Sequence, residues 1–346
     1  MVELRNDRLI FSFPDVHPSA SLVIEFQRTL RIPDDNRAYP LPPGLGCFPL
    51  RHVDDSTERV PAPWLTRGGV MLPMYQAEAM WIRFEPALDS ERGVEYPFAI
   101  AIAAGKINAV TGQQWTNQIH ADPQDYVVAP RQPWIDGFCV TKGTIRQFVA
   151  MPLGRGYTAE EQITEEAEYG GVQIQVYPMT AERFAARFPV RTRRPVLHDT
   201  LSMPMMLPTM ARLPGKAAAM GLGAGGQMKQ EVYDDPFDFE DWHRNHPARC
   251  FVHLANSEMW RDFTGEDAPH KPPTAADYTR AGLPWFDYYG ESPSLEGSAI
   301  LRGLKTILQM GAKKERPLAE NEGVAGEKVL VIRRPRNSAE VRDGTF

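Results

Sequence analysis

The densest group of potential metal ligands in this sequence lies in the last third of the chain. His243, His246, Cys250 and His253 offer three imidazoles and one thiol within eleven residues, and these ligand types suit zinc or another transition metal. Pro247 interrupts any helix that would join them. If a strand begins near Cys250, then Cys250 and His253 point to opposite faces, because side chains alternate along a strand. Two interpretations therefore stand: a metal site, and an acidic exposed loop that leads into a buried strand.

The motifs of common catalytic and nucleotide-binding sites indicate no other chemical function in this sequence. The sequence has neither the G-x-S-x-G of many hydrolases nor the H-E-x-x-H of zinc metalloproteases. Residues 221–226 match the glycine pattern of dinucleotide-binding proteins, which must directly follow a strand. The preceding residues, 216–220, contain three alanines and no β-branched residue, which favours helix. We therefore predict a linker at 221–226 and no nucleotide cofactor, and we assign no catalytic residue.

Two apolar segments indicate contact between copies of the chain, with packing inside the chain as the alternative. Six of the 14 methionines and three prolines fall within 203–228, and an extended apolar segment must bury against its own core or against another subunit. Four aromatic residues fall within 285–289, and such side chains are enriched at interfaces. The residues predicted at an oligomer interface are Met203, Met205, Met206, Met210, Trp285, Phe286, Tyr288 and Tyr289.

The composition argues against several classes of protein. The 346 residues include 38 basic and 44 acidic side chains, a net charge of −6, whereas nucleic-acid binders usually carry a basic domain or stripe. No run of 18 apolar residues is present, and the charged start of the sequence does not resemble a signal peptide. Cys47, Cys139 and Cys250 are too few and too far apart for a disulfide framework. We expect a cytoplasmic protein that binds neither nucleic acid nor a membrane.

Proline and hydrophobic patterning together predict a β-rich fold. Proline accounts for 31 of 346 residues, against a usual share of about 5%, which argues against a helical bundle. The run at 172–176 alternates strictly between apolar and polar residues, which predicts a strand with one buried face. The other predicted strands lie at 9–13, 22–32, 98–102, 107–110, 138–141, 144–148 and 328–332.

The predicted helices are short. Thr158 with Glu161, and Thr274 with Asp277, have the spacing of capping boxes, and an amphipathic helix is predicted from Ser292 to Gly311. The fold class is therefore α+β and β-rich, with sandwich or jelly-roll-like sheets, short helices and long proline-rich loops. We divide the chain into a β-rich domain at 1–178 and a loop-rich mixed region at 179–346 with a late strand, or one continuous domain.

Three segments of the chain resemble a family of uncharacterised bacterial and fungal proteins. They are residues 74–83, 146–154 and 281–289. The resemblance extends over most of the length of that family and implies a natural, self-contained unit. It assigns no activity and no functional residue.

Two functions from different classes follow from these patterns. The first is a non-catalytic structural or interaction protein that assembles into a homo-oligomer through the methionine-rich and aromatic segments. The alternative is a metal-dependent enzyme, or a small-ligand-binding β protein, that uses His243, His246, Cys250 and His253.

Overall fold

Antiparallel strands dominate the structure, a computed structural model that describes residues 1–190, 219–289, 292–314, 324 and 328–333. The strands are β1 (Val2–Arg5), β2 (Arg8–Ser12), β3 (Ser21–Thr29), β4 (Ala38–Tyr39), β5 (Gly44–Cys47), β6 (Arg51–His52), β7 (Val70–Pro73), β8 (Ala79–Pro86), β9 (Leu88–Asp89), β10 (Val94–Glu95), β11 (Phe98–Ala104), β12 (Ile107–Asn108), β13 (Val127–Ala129), β14 (Trp134–Ile135), β15 (Gly137–Thr141), β16 (Thr144–Pro152), β17 (Val172–Pro178), β18 (Met220–Lys229), β19 (Ala248–Ala255), β20 (Trp285–Tyr289) and β21 (Val329–Arg333). The helices are α1 (Ala62–Arg67), α2 (Ala159–Thr164), α3 (Ala181–Arg187), α4 (Ser257–Thr264), α5 (Ala275–Arg280), α6 (Ala299–Arg302) and α7 (Ile307–Lys313), with short 3-10 turns at Val53–Ser56 and Phe239–Asp241.

One large sheet folds over its own core. On one side β1, β2, β3 and β8 are successive antiparallel neighbours. On the other side β13, β11, β17 and β19 pair antiparallel, and β7 joins β19 in parallel. Strand β16 connects the two sides. It pairs with β8 and with β18, and β18 in turn pairs with β19 at Met220 and Leu254. Apolar side chains of both sides share one core cluster, in which the rings of Phe13 and Phe98 lie 6.0 Å apart. The predicted β-rich α+β class with sandwich-like sheets is confirmed.

Strands from the two predicted regions of the chain lie in the same sheet. Strand β18 pairs with β16 over Thr144–Pro152, and β19 pairs with β17. The small sheet of β20 and β21 is joined to the preceding part of the chain by reciprocal hydrogen bonds between Leu41 and Phe286.

The prediction of a linker at 221–226 is wrong, because these residues form the middle of β18. Glycine is needed here for close approach of the backbone, not for flexibility. A Cβ atom added to Gly226 would lie 2.3 Å from the carbonyl oxygen of Pro33, and one added to Gly223 would lie 2.8 Å from that of Tyr157. The repeated glycines therefore reflect packing of a central strand.

The predicted helix from Ser292 to Gly311 is also wrong in its extent. It is replaced by the short helices α6 and α7, each of which has its own N-cap, Ser298 and Thr306. The side-chain oxygens of these residues accept backbone N–H groups of the following turn, so each one starts a new helix. Among the described residues, every helix is too short or too polar to cross a membrane.

Both predicted capping boxes are present, at Thr158 with Glu161 and at Thr274 with Asp277. Thr158 is buried, and its hydroxyl accepts the Glu161 N–H at 3.2 Å. We expect Thr158→Ala to lower the free energy of unfolding by about 1 kcal/mol, the usual effect of losing a cap. Urea denaturation checks this value, with Thr158→Ser as the control that keeps the hydroxyl. An equal loss in both variants would contradict the capping role.

Candidate ligand-binding cleft

The four predicted metal ligands are divided among three places. Cys250 and His253 lie on β19 and point to opposite faces of the strand: Cys250 belongs to the main core, whereas the His253 ring packs against Trp64 in a second apolar cluster. His243 and His246 lie in the preceding loop, with ring centroids 5.1 Å apart. Within the described ranges, no three His, Cys, Asp or Glu side chains are grouped as a metal site would require.

His253 is held as a neutral ring. Its centroid lies 4.5 Å from that of Trp64 and 4.4 Å from that of Phe251. Its Nε2 lies 3.0 Å from the Gly68 carbonyl oxygen, and because a carbonyl only accepts hydrogen bonds, Nε2 carries the proton. Burial lowers the pKa of His253 to about 4. The residue joins α1 to β19 as a packing element.

Cys250 is a protonated thiol at neutral pH. Burial raises the pKa of its thiol to about 12, whereas metal binding and nucleophilic attack require the thiolate. Cys250 is among the residues that line one cleft, described below, and His243 lines a different cleft of about 450 Å³ beside Tyr177 and Trp242. The Nδ1 atom of His243 is buried and has no hydrogen-bond partner within the described part of the chain.

The predicted interface residues also have different surroundings. Met203, Met205, Met206 and Met210 lie outside the described residues. Trp285 is buried and packs against the rings of Tyr39 and Tyr278 at about 6 Å. Phe286 is partly buried against the main core, and Tyr288 lies against Trp134 at 4.8 Å. Tyr289 ends β20.

The largest change from the sequence-based expectation concerns β17. Its outward side chains Gln173, Gln175 and Tyr177 are 7%, 4% and 1% exposed, so the strand is buried on both faces and the prediction of one buried face is wrong. The cover comes from residues 105–117: the Gly105 carbonyl accepts the Gln173 amide, and the Asn117 carbonyl accepts Gln175 Nε2 and the Tyr177 hydroxyl. This buried polar row leads into an open cleft at the edge of β19.

We name this opening the Arg67–Arg249 cleft. It has a volume of about 450 Å³, within the range of sites that hold small molecules. One wall is β1, through Val2–Leu4, and the opposite wall is β19, through 249–251. Side chains of consecutive strand residues point to opposite faces, so three consecutive residues line one cleft only when the cleft runs along the strand edge. The cleft is a slot between two strand edges.

Cationic and aromatic groups surround the slot. The Arg67 guanidinium carbon lies 4.2 Å from the centroid of the Tyr169 ring and 5.6 Å from that of Phe251. Arg249, on β19, donates a hydrogen bond from Nη1 to Asn117 Oδ1 at 2.9 Å. Each guanidinium has five N–H groups. Arg67 also donates to the Glu168 carbonyl at 3.2 Å, and its Nη2 lies 3.9 Å from the Glu168 carboxylate. Glu3 and Asp54 supply carboxylates to the same cleft, and Glu3 pairs with Arg5.

A buried carboxylate positions the Tyr169 wall. Glu160 is 2% exposed and accepts the N–H groups of Tyr169 and Gly170 at 3.1 and 2.7 Å. Burial raises the pKa of Glu160. Lys106 Nζ lies 4.1 Å from the Tyr169 ring centroid. The ring is therefore held by groups from three separate parts of the chain, as a preformed binding surface requires.

Sequence reasoning missed Arg67, Tyr169 and Arg249 as site residues. Arg249 lies inside the predicted His/Cys segment, but the metal-site hypothesis included only the histidines and the cysteine of that segment. The available signal was the polar alternation of β17, because Gln173 of this strand lines the slot. Comparison with protein-family models, curated proteins and solved structures found no significant match.

Proposed function

We propose that this protein binds a small organic molecule that carries a carboxylate, and that the Arg67–Arg249 cleft is the binding site. One observation carries the proposal: two guanidinium groups and two aromatic rings line one slot of about 450 Å³. Arginine is suited to carboxylates because its planar fork donates two parallel hydrogen bonds. The rings of Tyr169 and Phe251 offer apolar faces for the body of the ligand.

A thermal-unfolding assay with benzoate tests this function. Benzoate combines a carboxylate with an aromatic ring, and a ligand that binds the folded state raises its stability by about 2.7 kcal/mol at one hundred times the Kd. We expect Arg249→Gln to weaken benzoate binding at least tenfold, since a lost charge-assisted hydrogen bond is worth about 1.5–3 kcal/mol. Arg280→Gln, an exposed arginine on α5, is the matched control. Equal stabilisation by benzyl alcohol, which lacks the carboxylate, would contradict the proposal.

A second candidate function is self-assembly through β21, in which a second copy of the chain would pair with this strand. Leu330 and Val331 are 48% and 54% exposed although they are apolar and adjacent. Among the described residues, β21 pairs with β20 alone, and a two-stranded sheet is marginally stable until further strands join it. Light scattering after size exclusion tests this: we expect a dimer that Val331→Lys dissociates, and a monomer of 38.9 kDa at micromolar concentration would contradict it.

A further inference from the structure

We propose that the Arg67–Arg249 cleft binds a single α-amino acid with an apolar side chain, held through both its carboxylate and its ammonium group. This inference rests on the proposed carboxylate-binding function and names the class of ligand. It follows from the hydrogen-bond acceptors, the charge balance and the dimensions of the cleft.

A buried amide supplies an unused acceptor to the cleft. Gln173 lines the cleft and is 7% exposed. Its Nε2 donates to the Gly105 carbonyl at 2.7 Å, and because a carbonyl only accepts hydrogen bonds, this contact fixes which end of the amide is the NH2 group. Among the described residues, no donor is bonded to Gln173 Oε1. A carboxylate has no hydrogen to donate to this atom, whereas an ammonium group has three.

Two carboxylates from other elements line the same cleft. Glu3 lies on β1, and Asp54 lies in the 3-10 turn that follows β6. Within the described part of the chain, the Asp54 carboxylate has no hydrogen-bond or ion-pair partner. Glu3 pairs with Arg5, whose side chain is 67% exposed, and an ion pair at the surface is weak and readily exchanged. Both carboxylates can therefore accept hydrogen bonds from an ammonium group of the ligand.

The formal charges of the lining balance. The guanidinium groups of Arg67 and Arg249 carry two positive charges, and the two carboxylates carry two negative ones. The lining also has one imidazole, that of His52. Beside the cleft, the Glu168 carboxylate lies 3.9 Å from Arg67 Nη2 and adds negative charge. A ligand with a carboxylate alone would bring a further uncompensated negative charge, whereas a zwitterion brings none and can pair with groups of both signs.

The surrounding backbone limits the length of the ligand. A Cβ atom added to Gly69 would lie 2.1 Å from the Phe251 carbonyl oxygen, so the backbone of residue 69 already covers β19 at this point. Cα atoms of β1 and β19 approach within 8 Å, which leaves no room for another strand, since neighbouring strands lie about 4.8 Å apart. The ligand is therefore a single amino acid and not an extended peptide.

Apolar groups form the rest of the lining. They are the side chains of Val2, Leu4, Leu9 and Val70 and the rings of Tyr169 and Phe251. Burial of an apolar ligand group against such a surface is favourable in proportion to the area removed from water. Sites for small molecules commonly combine an apolar wall with a few polar groups that fix the orientation, and this combination favours an apolar side chain.

Isothermal titration calorimetry of the full chain with phenylalanine and 3-phenylpropionate tests the inference. The two ligands share the carboxylate and the aromatic ring, but 3-phenylpropionate lacks the amino group. We expect phenylalanine to bind at least tenfold more tightly, since a hydrogen bond to a charged group has about this effect on affinity. Because both ligands use the guanidinium groups, we expect Arg249→Gln to weaken both at least tenfold.

A double variant, Glu3→Gln with Asp54→Asn, removes the carboxylates assigned to the ammonium group. We expect it to abolish the preference for phenylalanine without weakening 3-phenylpropionate. The matched control is Asp55→Asn with Glu58→Gln, because these exposed carboxylates are close in sequence and line a different cleft. We expect the control to keep the preference. Equal loss of the preference in both double variants would reveal a long-range effect of charge and overturn the inference.

The outcomes separate the two proposals. If 3-phenylpropionate binds with dependence on Arg249 and phenylalanine binds no more tightly, the amino-acid inference is overturned and the carboxylate function stands. If the preference for phenylalanine survives the loss of both Glu3 and Asp54, the assigned ammonium site is overturned. If neither ligand binds, both proposals fail.

Discussion

The free energy of unfolding is expected to fall by about 3 kcal/mol between pH 4 and pH 7 through one residue, Asp136. This side chain is 2% exposed, and its carboxyl group is bound by the neutral amide of Gln230, with 2.6 Å between Gln230 Nε2 and Asp136 Oδ2. The Gln230 Oε1 in turn accepts the Asp136 N–H at 3.0 Å. Burial raises the pKa of Asp136 from 3.8 to about 7, because the charged form loses its hydration.

The sign of the effect follows from proton binding. Between pH 3.8 and pH 7 the folded protein keeps the proton on Asp136, whereas the unfolded chain releases it. Stability is then fully present below the unfolded pKa and is lost as the pH rises towards the folded one. Well between these two pKa values, each pH unit corresponds to about 1.4 kcal/mol, and the slope is smaller near each of them.

Asp136→Asn isolates this contribution. The amide has the shape of the protonated acid and can still bond to Gln230, but it does not titrate. Urea denaturation measures the effect: we expect the wild-type chain to lose about 3 kcal/mol of stability relative to Asp136→Asn between pH 4 and pH 7. The difference between the two chains cancels the other titrating groups. Parallel pH profiles would show that Asp136 does not titrate abnormally.

His253 is expected to produce the opposite pH dependence, of about 3 kcal/mol. Its folded pKa of about 4 lies below the ordinary value of 6.5, so the unfolded chain binds the proton first as the pH falls. Stability is fully present above pH 6.5 and is lost as the pH falls towards 4. The physical cause is burial between Trp64 and Phe251, where a charged imidazolium loses its hydration.

Two variants distinguish titration from packing at this position. His253→Gln can keep a hydrogen bond to the Gly68 carbonyl, and His253→Phe keeps the aromatic stack, but neither titrates. Each variant has its own constant loss of stability, and we expect both to lack the decline of about 3 kcal/mol between pH 6.5 and pH 4 that the wild-type chain shows. Persistence of that decline in both variants would place its origin elsewhere.

Local patterns predicted much of the fold because they depend on neighbouring residues. The capping boxes at Thr158 and Thr274 require a hydroxyl and a carboxylate three residues apart, and both helices begin as expected. The hairpin of β15 and β16 likewise follows from two apolar runs around Gly143, whose φ is +68°. These features need no knowledge of distant contacts.

Long-range packing explains what the sequence could not predict. The glycines of β18 fit a central strand only because segments such as Pro33 approach its backbone. Gln173 and Gln175 are buried only because residues 105–117 cross over β17. The cleft has the same origin, since Arg67 ends α1 and Arg249 is the second residue of β19, and the fold alone brings both to one cleft.

The central claim is that the slot between β1 and β19 binds a carboxylate ligand. An amide NMR titration with benzoate tests it most directly, because it reports the location of binding as well as its strength. We expect progressive shifts at the amides of Val2–Leu4, Arg67 and 249–251, which Arg249→Gln suppresses and Arg280→Gln does not. Shifts confined to the cleft beside His243, or unchanged amides in the slot at saturating benzoate, would contradict the account.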